Sequence, residues 1–564
     1  MKRVLVVGGV AGGASAAARI RRLDEQANIT IFERGPHVSF SNCALPYYLS
    51  GTIARSEQLV LMSPEKFKKQ YNIDVRTGQE VLSIDRAAKT VTVKRASDGT
   101  TYEEAYDVLV LSPGAAPIVP SSIAGMRQPH VFTVRNVVDI ANLKQYVDGH
   151  SIQDIAVIGG GFIGLEVAEN LRSAGKNVSL VEAANQIMAP FDYDMAQILH
   201  KELLDNGVKL VVGDGLKEIG TDKITLTSGA ELPAGAVVLA IGVTPETALA
   251  KACGLDIGVT GGIRVNHHYQ TSDPNIYAVG DAIEVYNRQT RRPARLALAG
   301  PAQRQARAAG DHICGMNHNN RGVIGSCAVR VFGLNAAATG LNEKTAQAAG
   351  IPYDFAYIIP SDRPGLMPAA RPMHFKLLYE VPTGRILGAQ AIGEGAVDKR
   401  IDVIAAMITM GGDLEDLKEL ELCYSPMFGT AKDVVNHAAL VALNLLYGKV
   451  RQVPVSAVRS LVEEGAVLID VREPAEYAAG HLKTAVNLPL SQLRERMGEI
   501  PADRPVYLHC RSSQRSYNAL MALQNSGFNN IWNISGSFLG ICLYEYYNDI
   551  TQGREAIVTA YNFN

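Results

Sequence analysis

Residues 3–24, RVLVVGGVAGGASAAARIRRLD, run from four consecutive apolar positions through a glycine turn into small and apolar residues at helical spacing. This pattern predicts a buried strand, a tight turn and a helix. ITIFE (29–33) follows as a second strand that ends in Glu33. The same order returns at 155–184, IAVIGGGFIGLEVAENLRSAGKNVSLVEAA, where the second strand ends in Glu182. YDVLVLSPGAAP (106–117) and GAVVLAIGVTPET (235–247) predict strands closed by small-residue turns. TSDPNIYAVGDA (271–282) predicts a strand that ends at Asp281, and LALAGPAQRQARAAGDHICG after it has helical spacing. Beyond LLYGKVRQVPVS (445–456), which reads as a linker, the pattern changes. VLIDVREPAEYAAGHLKTAVNLPL (467–490) predicts a strand, a charged turn and a strand. PVYLHCRSSQRSYNALMALQNSGF (505–528) predicts a strand, a loop led by Cys510, and a helix.

A chain of 564 residues is too long for one core and implies several domains. With 47% hydrophobic and 20% charged residues, it has the make-up of an ordered globule. A net charge of −2 gives no reason to expect nucleic acid or an acidic membrane as partner. AALVALNLL (438–446) is the nearest approach to a membrane span, and it falls short of the roughly 18 residues required. The start, MKRVLVVGG, goes straight into a strand, so the expected location is cytoplasmic. Seven cysteines, an odd number with no CxxC pair, argue against a disulfide framework or a zinc site, and no metal is expected.

The two glycine turns carry the first chemistry. Gly8 permits the tight turn and Gly13 lets helix and strand approach, while Val10 stands where a middle glycine is usual. The second copy is intact at Gly159, Gly161 and Gly164. A carboxylate at each strand end, Glu33 and Glu182, is placed to accept from an adenosine ribose hydroxyl. Glu182 would repel a 2′-phosphate and no Arg follows closely, so NADH is expected over NADPH.

These residues resemble the two-dinucleotide-binding-domain flavoproteins, over about residues 1–445. The resemblance implies an α/β fold with two Rossmann-like domains, for FAD and NAD, and an α+β dimerisation domain. It implies FAD along Gly8, Val10, Ala11, Gly12, Gly13, Glu33, Arg34, Ser112, Gly114, Asp281 and Ala297. It implies NADH along Gly159, Gly161, Gly164, Glu182 and Gly242. SFSNC (39–43) is similar to the SFxxC element of the branch with a single cysteine, which holds coenzyme A disulfide reductases, NADH peroxidases and NADH oxidases. The peroxidases carry a histidine where this chain has Ala11, which counts against peroxide reduction. Cys43 precedes ALPYYL, a short helix by its pattern with Pro46 in the first turn, so its thiol pKa is expected to be lowered.

A lone thiol suits a substrate that brings its own sulfur. Arg19 and Arg22 lie three apart on one helix face, suited to phosphate. The resemblance places Ser15, Arg19, Arg22, Ser39, Asn42 and Lys432 along coenzyme A. It also brings Tyr424 of ELCYSPMFGTAKD (421–433) to Cys43 across a homodimer. Where relatives often have a second tyrosine, PGLMPAA (364–370) has Leu366 and Met367.

The segment from about 453 to 550 resembles a rhodanese domain, with Asp470, Arg472, Glu476 and His481 as scaffold. CRSSQR turns backbone N–H groups toward Cys510, and Arg515 adds charge. Rhodaneses usually have glycine where Ser513 stands. The expected division is FAD-binding 1–112 and 246–324, NAD-binding 113–245, dimerisation 325–447, linker 448–456 and rhodanese 457–564. The whole resembles the coenzyme A disulfide reductase–rhodanese fusions, including NADH-dependent persulfide reductases. That resemblance implies reduction of coenzyme A persulfide or polysulfide through a Cys43–coenzyme A mixed disulfide, with Cys510 relaying sulfane sulfur. The alternatives are a coenzyme A disulfide reductase with an auxiliary rhodanese domain, and an NADH oxidase or redox sensor.

Overall fold

The computed structural model describes residues 1–318 and 320–563. The chain divides into two compact units, one of residues 1–185 and 211–323, the other of 186–210 and 324–564. In the first unit, Arg3–Val7 pairs in parallel with Asn28–Glu33 on one side and Val108–Leu111 on the other. Asp74–Thr77 and Ile276–Ala278 extend that sheet, again in parallel. A second sheet repeats the design around Asp154–Ile158, flanked by Asn177–Glu182 and Ala236–Leu239. Val4 to Val6 and Ile155 to Val157 are almost wholly buried, as strands with both faces covered must be. Each half also carries a three-stranded antiparallel meander, one from Gln79–Asp85 and the other from Leu216–Ile219.

Glycine is forced at two matched points. A Cβ on Gly13 would lie 1.9 Å from the Gly8 carbonyl oxygen, and one on Gly164 would lie 1.8 Å from that of Gly159. These contacts seat the helices Ala11–Leu23 and Phe162–Ser173 against their strands. Pro117 and Pro245, expected in turns, instead end short strands that pair with each other, Ala115–Pro117 with Val243–Pro245.

The second unit holds a five-stranded antiparallel sheet from Cys327–Val331 to Tyr353–Ile358, in the order given by its hydrogen bonds. Its central strands Met373–Glu380 and Ile386–Gly393 are buried on both faces. Helices Val397–Met410 and Val434–Leu446 supply much of the surrounding core. Lys376 is nevertheless in that central strand, 1% exposed, with its ammonium 2.9 Å from Asp194, 3.2 Å from Asp192 and 2.5 Å from Glu343. Burial alone would push this ammonium's pKa down, but the three carboxylates outweigh it and raise it. A parallel sheet follows, ordered Gln452–Val453, Ile531–Ile534, Val506–His509, Val467–Asp470 and Val486–Asn487. Helices Gln514–Asn525 and Ser537–Gln552 pack with it. Among the described residues, no helix is long and apolar enough to cross a membrane.

Candidate active site

A groove of about 500 Å³ in the first unit is lined by Gly8, Val10, Ala11, Gly12, Glu33, Arg34, Ser112, Gly114 and Asp281. These are nine of the eleven residues expected along FAD. Gly13 lies behind the groove, where it packs helix on strand. Ala297 is exposed and does not line the groove, because the helix begins at Ala299 and turns Ala302 inward instead.

The residues present fit a dinucleotide. The helix Ala11–Leu23 has no side-chain cap and no acidic residue in its first turn, so its first N–H groups are available to an anion. The same holds at Phe162–Ser173, where a Cβ on the N-cap residue Gly161 would meet nothing within 4 Å. In both copies the strand-end carboxylate already organises its turn. Glu33 accepts from Gly9 N–H at 3.0 Å and Gly35 N–H at 2.9 Å. Glu182 accepts from Gly160 N–H at 2.7 Å and Ala184 N–H at 2.8 Å. Gly242, with φ +111°, forms the turn after Ala236–Leu239.

Cys43 is exposed, within a single 3₁₀ turn Asn42–Ala44 that precedes the helix Pro46–Leu49. Asn42 lines the dinucleotide groove, and its side-chain oxygen lies 3.9 Å from the Cys43 sulfur. The expected lowering of the thiol pKa is overturned. Partial burial pushes it up, and the charges of Glu166 and Asp281 push the same way. The helix of four residues is too short to offset them. Glu166 reaches the thiol because the helix Phe162–Ser173 packs against Pro46–Leu49. Burial and the neighbouring Glu169 push Glu166 up to about 7, and burial also raises Asp281. Replacing Glu166 with glutamine is expected to remove one charge that opposes the thiolate. Alkylation of Cys43 by iodoacetamide near pH 8 should then speed up by a factor of about 2–5. An unchanged or slower rate would show that Glu166 does not act on the sulfur.

A second cavity, of about 360 Å³, gathers Ser15, Arg19, Arg22 and Ser39. Phe67, Tyr71, Gln303 and Arg307 share it and were not singled out from the sequence. The Arg22 guanidinium sits 5.5 Å above the Tyr71 ring. Arg19, expected as a phosphate ligand, is held by Asp311 at 2.5 Å, so its charge is already partnered. Arg307 stands on the helix that carries Asp311, a placement that no local pattern in the sequence reveals.

In the second unit, Tyr424 is 52% exposed, near the exposed apolar side chains of Met427 and Phe428. Arg400, only 2% exposed, fixes this loop through Asp433 at 3.1 Å and the Phe428 carbonyl at 3.3 Å, and reaches the Asp362 carbonyl at 3.3 Å. Lys432 lines a third cavity in this unit, beside the loop after Cys510.

Cys510 is buried. Ser516 donates toward its sulfur at 3.6 Å, and the Cys510 N–H donates to the Ser537 hydroxyl at 3.2 Å. Phe538 and Leu539, in the first turn of a 16-residue helix, donate their N–H groups to the carbonyls of Cys510 and Arg511. Ser513 does occupy a glycine-like conformation, φ +75°, and Ser537 has φ +49°. Their hydroxyls meet at 3.1 Å, and Ser513 also donates to the Ile534 carbonyl. Such left-handed serines cost on the order of 1 kcal/mol each, and these bonds offset part of it. Arg515 does not present a free charge to the loop, because Glu476 binds it through two contacts at 2.6 and 2.7 Å. Arg472 and Asp470 form a fully buried pair at 2.6 Å, with Arg472 also on the Gly480 carbonyl. His481 stacks on Tyr477.

A paired dinucleotide fold with a single thiol at its groove defines a flavin- and nicotinamide-dependent oxidoreductase. The chain belongs to the pyridine nucleotide-disulphide oxidoreductases, whose family model matches residues 2–306. The dimerisation domain of that family matches 327–434 and a rhodanese-like domain matches 455–543. Coenzyme A disulfide reductase of Staphylococcus epidermidis is 32% identical over 437 residues, 77% of this chain and 98% of that protein. The crystal structure of reduced Bacillus anthracis CoADR-RHD is 43% identical with TM-score 0.93, covering 97% of this chain and 98% of the other. A NAD-dependent persulfide reductase from A. fulgidus is 33% identical with TM-score 0.90, covering 95% and 99%.

Proposed function

We propose that the chain is an FAD-dependent NADH oxidoreductase that reduces coenzyme A persulfide and related polysulfides to sulfide. The observation that carries this reading is one exposed thiol, Cys43, next to Asn42 of the dinucleotide groove, in a chain that also holds a second, buried thiol, Cys510. The domain boundaries expected from the sequence, 1–112 to 457–564, belong to the same reading. Bound FAD supplies a relay for two electrons between NADH and sulfur.

Cys510, held between hydroxyls and helix amides, attacks the outer sulfur of a sulfane donor. The donor's S–S bond breaks and its thiolate leaves, so no outside electrons are needed. The sulfur passes next to the thiol of coenzyme A, held by Arg22 and the polar groups around it. Cys43 then attacks the inner sulfur of the coenzyme A persulfide. Hydrosulfide departs and a Cys43–coenzyme A disulfide remains, whose cleavage takes up the electron pair. Tyr424 of a second copy donates a hydrogen bond to the leaving sulfur. No second cysteine beside Cys43 is required, because the substrate brings the partner sulfur.

Likeness to coenzyme A disulfide reductases favours a second reading, in which the symmetric coenzyme A disulfide is the main substrate and the rhodanese domain only delivers sulfur. Turnover on coenzyme A persulfide should exceed that on the disulfide; the reverse order sinks the first reading. Cys510→Ser is expected to lower sulfide release from inorganic polysulfide at least about tenfold. The same variant should keep NADH oxidation by preformed coenzyme A persulfide within about twofold. Sulfide released per NADH consumed, measured with and without added coenzyme A, checks both.

A further inference from the structure

The third cavity, about 480 Å³, has Ser512, Ser513 and Gln514 of the Cys510 loop on one wall. His437, Leu440, Val441 and Asn444 line it from the helix Val434–Leu446, at the spacing that puts residues on one helix face. The Asn444 amide donates to the Tyr517 hydroxyl at 3.4 Å and so ties this helix to Gln514–Asn525. All these residues belong to the second unit. Lys418, Lys432, Lys449, Tyr357, Tyr447 and Tyr517 also line the cavity, side chains of two types that are protonated at pH 7. Two lining groups can hold an open lone pair at that pH, Glu415 and His437. Glu415 is committed elsewhere. It accepts from Lys418 at 2.6 Å and from the Tyr447 hydroxyl at 2.6 Å, and these bonds hold its pKa below the usual carboxylate range. His437 differs. Neither nitrogen of its ring has a hydrogen-bond partner among the described residues, and both keep accessible surface. Burial, and then the charge of Lys432, lower its pKa, so the ring is neutral near pH 7.

We infer that His437 is the base that deprotonates the thiol to which Cys510 hands its sulfur. The inference rests on the role proposed for Cys510 and adds the residue that makes the acceptor reactive. The thiolate, not the thiol, attacks sulfur, and an ordinary thiol is mostly protonated at pH 7. In the transfer, the acceptor thiol gives its proton to a ring nitrogen of His437. Its thiolate attacks the outer sulfur of the Cys510 persulfide, the S–S bond breaks, and Cys510 leaves as a thiolate. The acceptor carries the sulfur away as a new persulfide, and His437 releases the proton to solvent. No electrons enter from outside.

The test uses full-length, FAD-bound Cys43→Ser enzyme whose Cys510 is loaded from inorganic polysulfide and freed of excess donor. Loss of the sulfur's mass from Cys510 to added coenzyme A is followed between about pH 6 and pH 9. An ordinary thiol is only a few per cent ionised at pH 7, so a base can speed the step by at most roughly thirtyfold. His437→Gln keeps a polar side chain without a basic nitrogen, and is expected to slow transfer about ten- to thirtyfold at pH 7. The defect should shrink to within about twofold near pH 9, where coenzyme A ionises by itself. Thionitrobenzoate, already a thiolate at pH 7, should take sulfur from both proteins at rates within about twofold. A loss equal at every pH and for both acceptors would show that His437 only shapes the wall, and overturns the inference. No loss at all overturns it too. Should His437→Gln fail to fold, the protein with His437 intact decides. Its rate to coenzyme A must level off between about pH 7 and pH 8, and a tenfold rise per pH unit over that range overturns the base. Failure of polysulfide to load Cys510 at all overturns the role of Cys510 as well.

Discussion

Replacing Cys43 with serine is expected to abolish NADH-driven sulfide release, by at least about a thousandfold, while bound flavin and the fold persist. The sulfur, next to Asn42 of the dinucleotide groove, is able to form a disulfide with the substrate, and a hydroxyl cannot replace it. The groove proposed to hold the flavin is lined by glycine turns and by Glu33 and Asp281, none of which changes in the variant. Sulfide production by the loaded Cys43→Ser enzyme, with coenzyme A persulfide as substrate, is the measurement. Retained turnover would place electron transfer through some other atom.

Lys376→Met is expected to destabilise the second unit by about 3–5 kcal/mol, the usual cost of removing one partner from a buried ion cluster. For a unit of this size, that lowers its melting temperature by roughly 10 °C. The loss should depend on pH in a definite direction. Burial already raises the Glu343 carboxyl, and Lys376 opposes that rise. Without the lysine, the Glu343 carboxyl titrates further above its unfolded value, so the folded state binds the extra proton more tightly. Stability is then greatest in acid and is lost as pH rises through the folded pKa. The gap between native and variant should narrow from pH 8 toward pH 5. Thermal melts at a series of pH values check this, and a constant gap would show that the lysine acts by packing alone.

The two dinucleotide folds could be read from the chain because their signals are local. Within each copy the glycines, the strand-end acid (Glu33 or Glu182) and the apolar runs fall within about thirty residues. The single thiol, the rhodanese loop and most of the FAD groove were legible for the same reason. What could not be read depends on neighbours distant in sequence. Burial, and then the charge of Glu166 on a helix in the other dinucleotide fold, reverse the expected shift in the acidity of Cys43. Asp311 takes the Arg19 charge from nearly three hundred residues away. The serines at 513 and 537 look like departures from glycine until their hydroxyls are seen to meet. Lys376 interrupts an apolar strand, with nothing nearby in the sequence to announce its three carboxylates.

The twin carboxylates at the glycine turns carry one more consequence. Because Glu33 and Glu182 each clasp two amides of their own loop, both loops hold their shape by themselves, before any nucleotide arrives. Loading the flavin then asks little of the polypeptide beyond the exchange of water for ligand. An emptied enzyme should therefore recover its colour in a single kinetic phase proportional to flavin concentration, with no slow ordering step behind it.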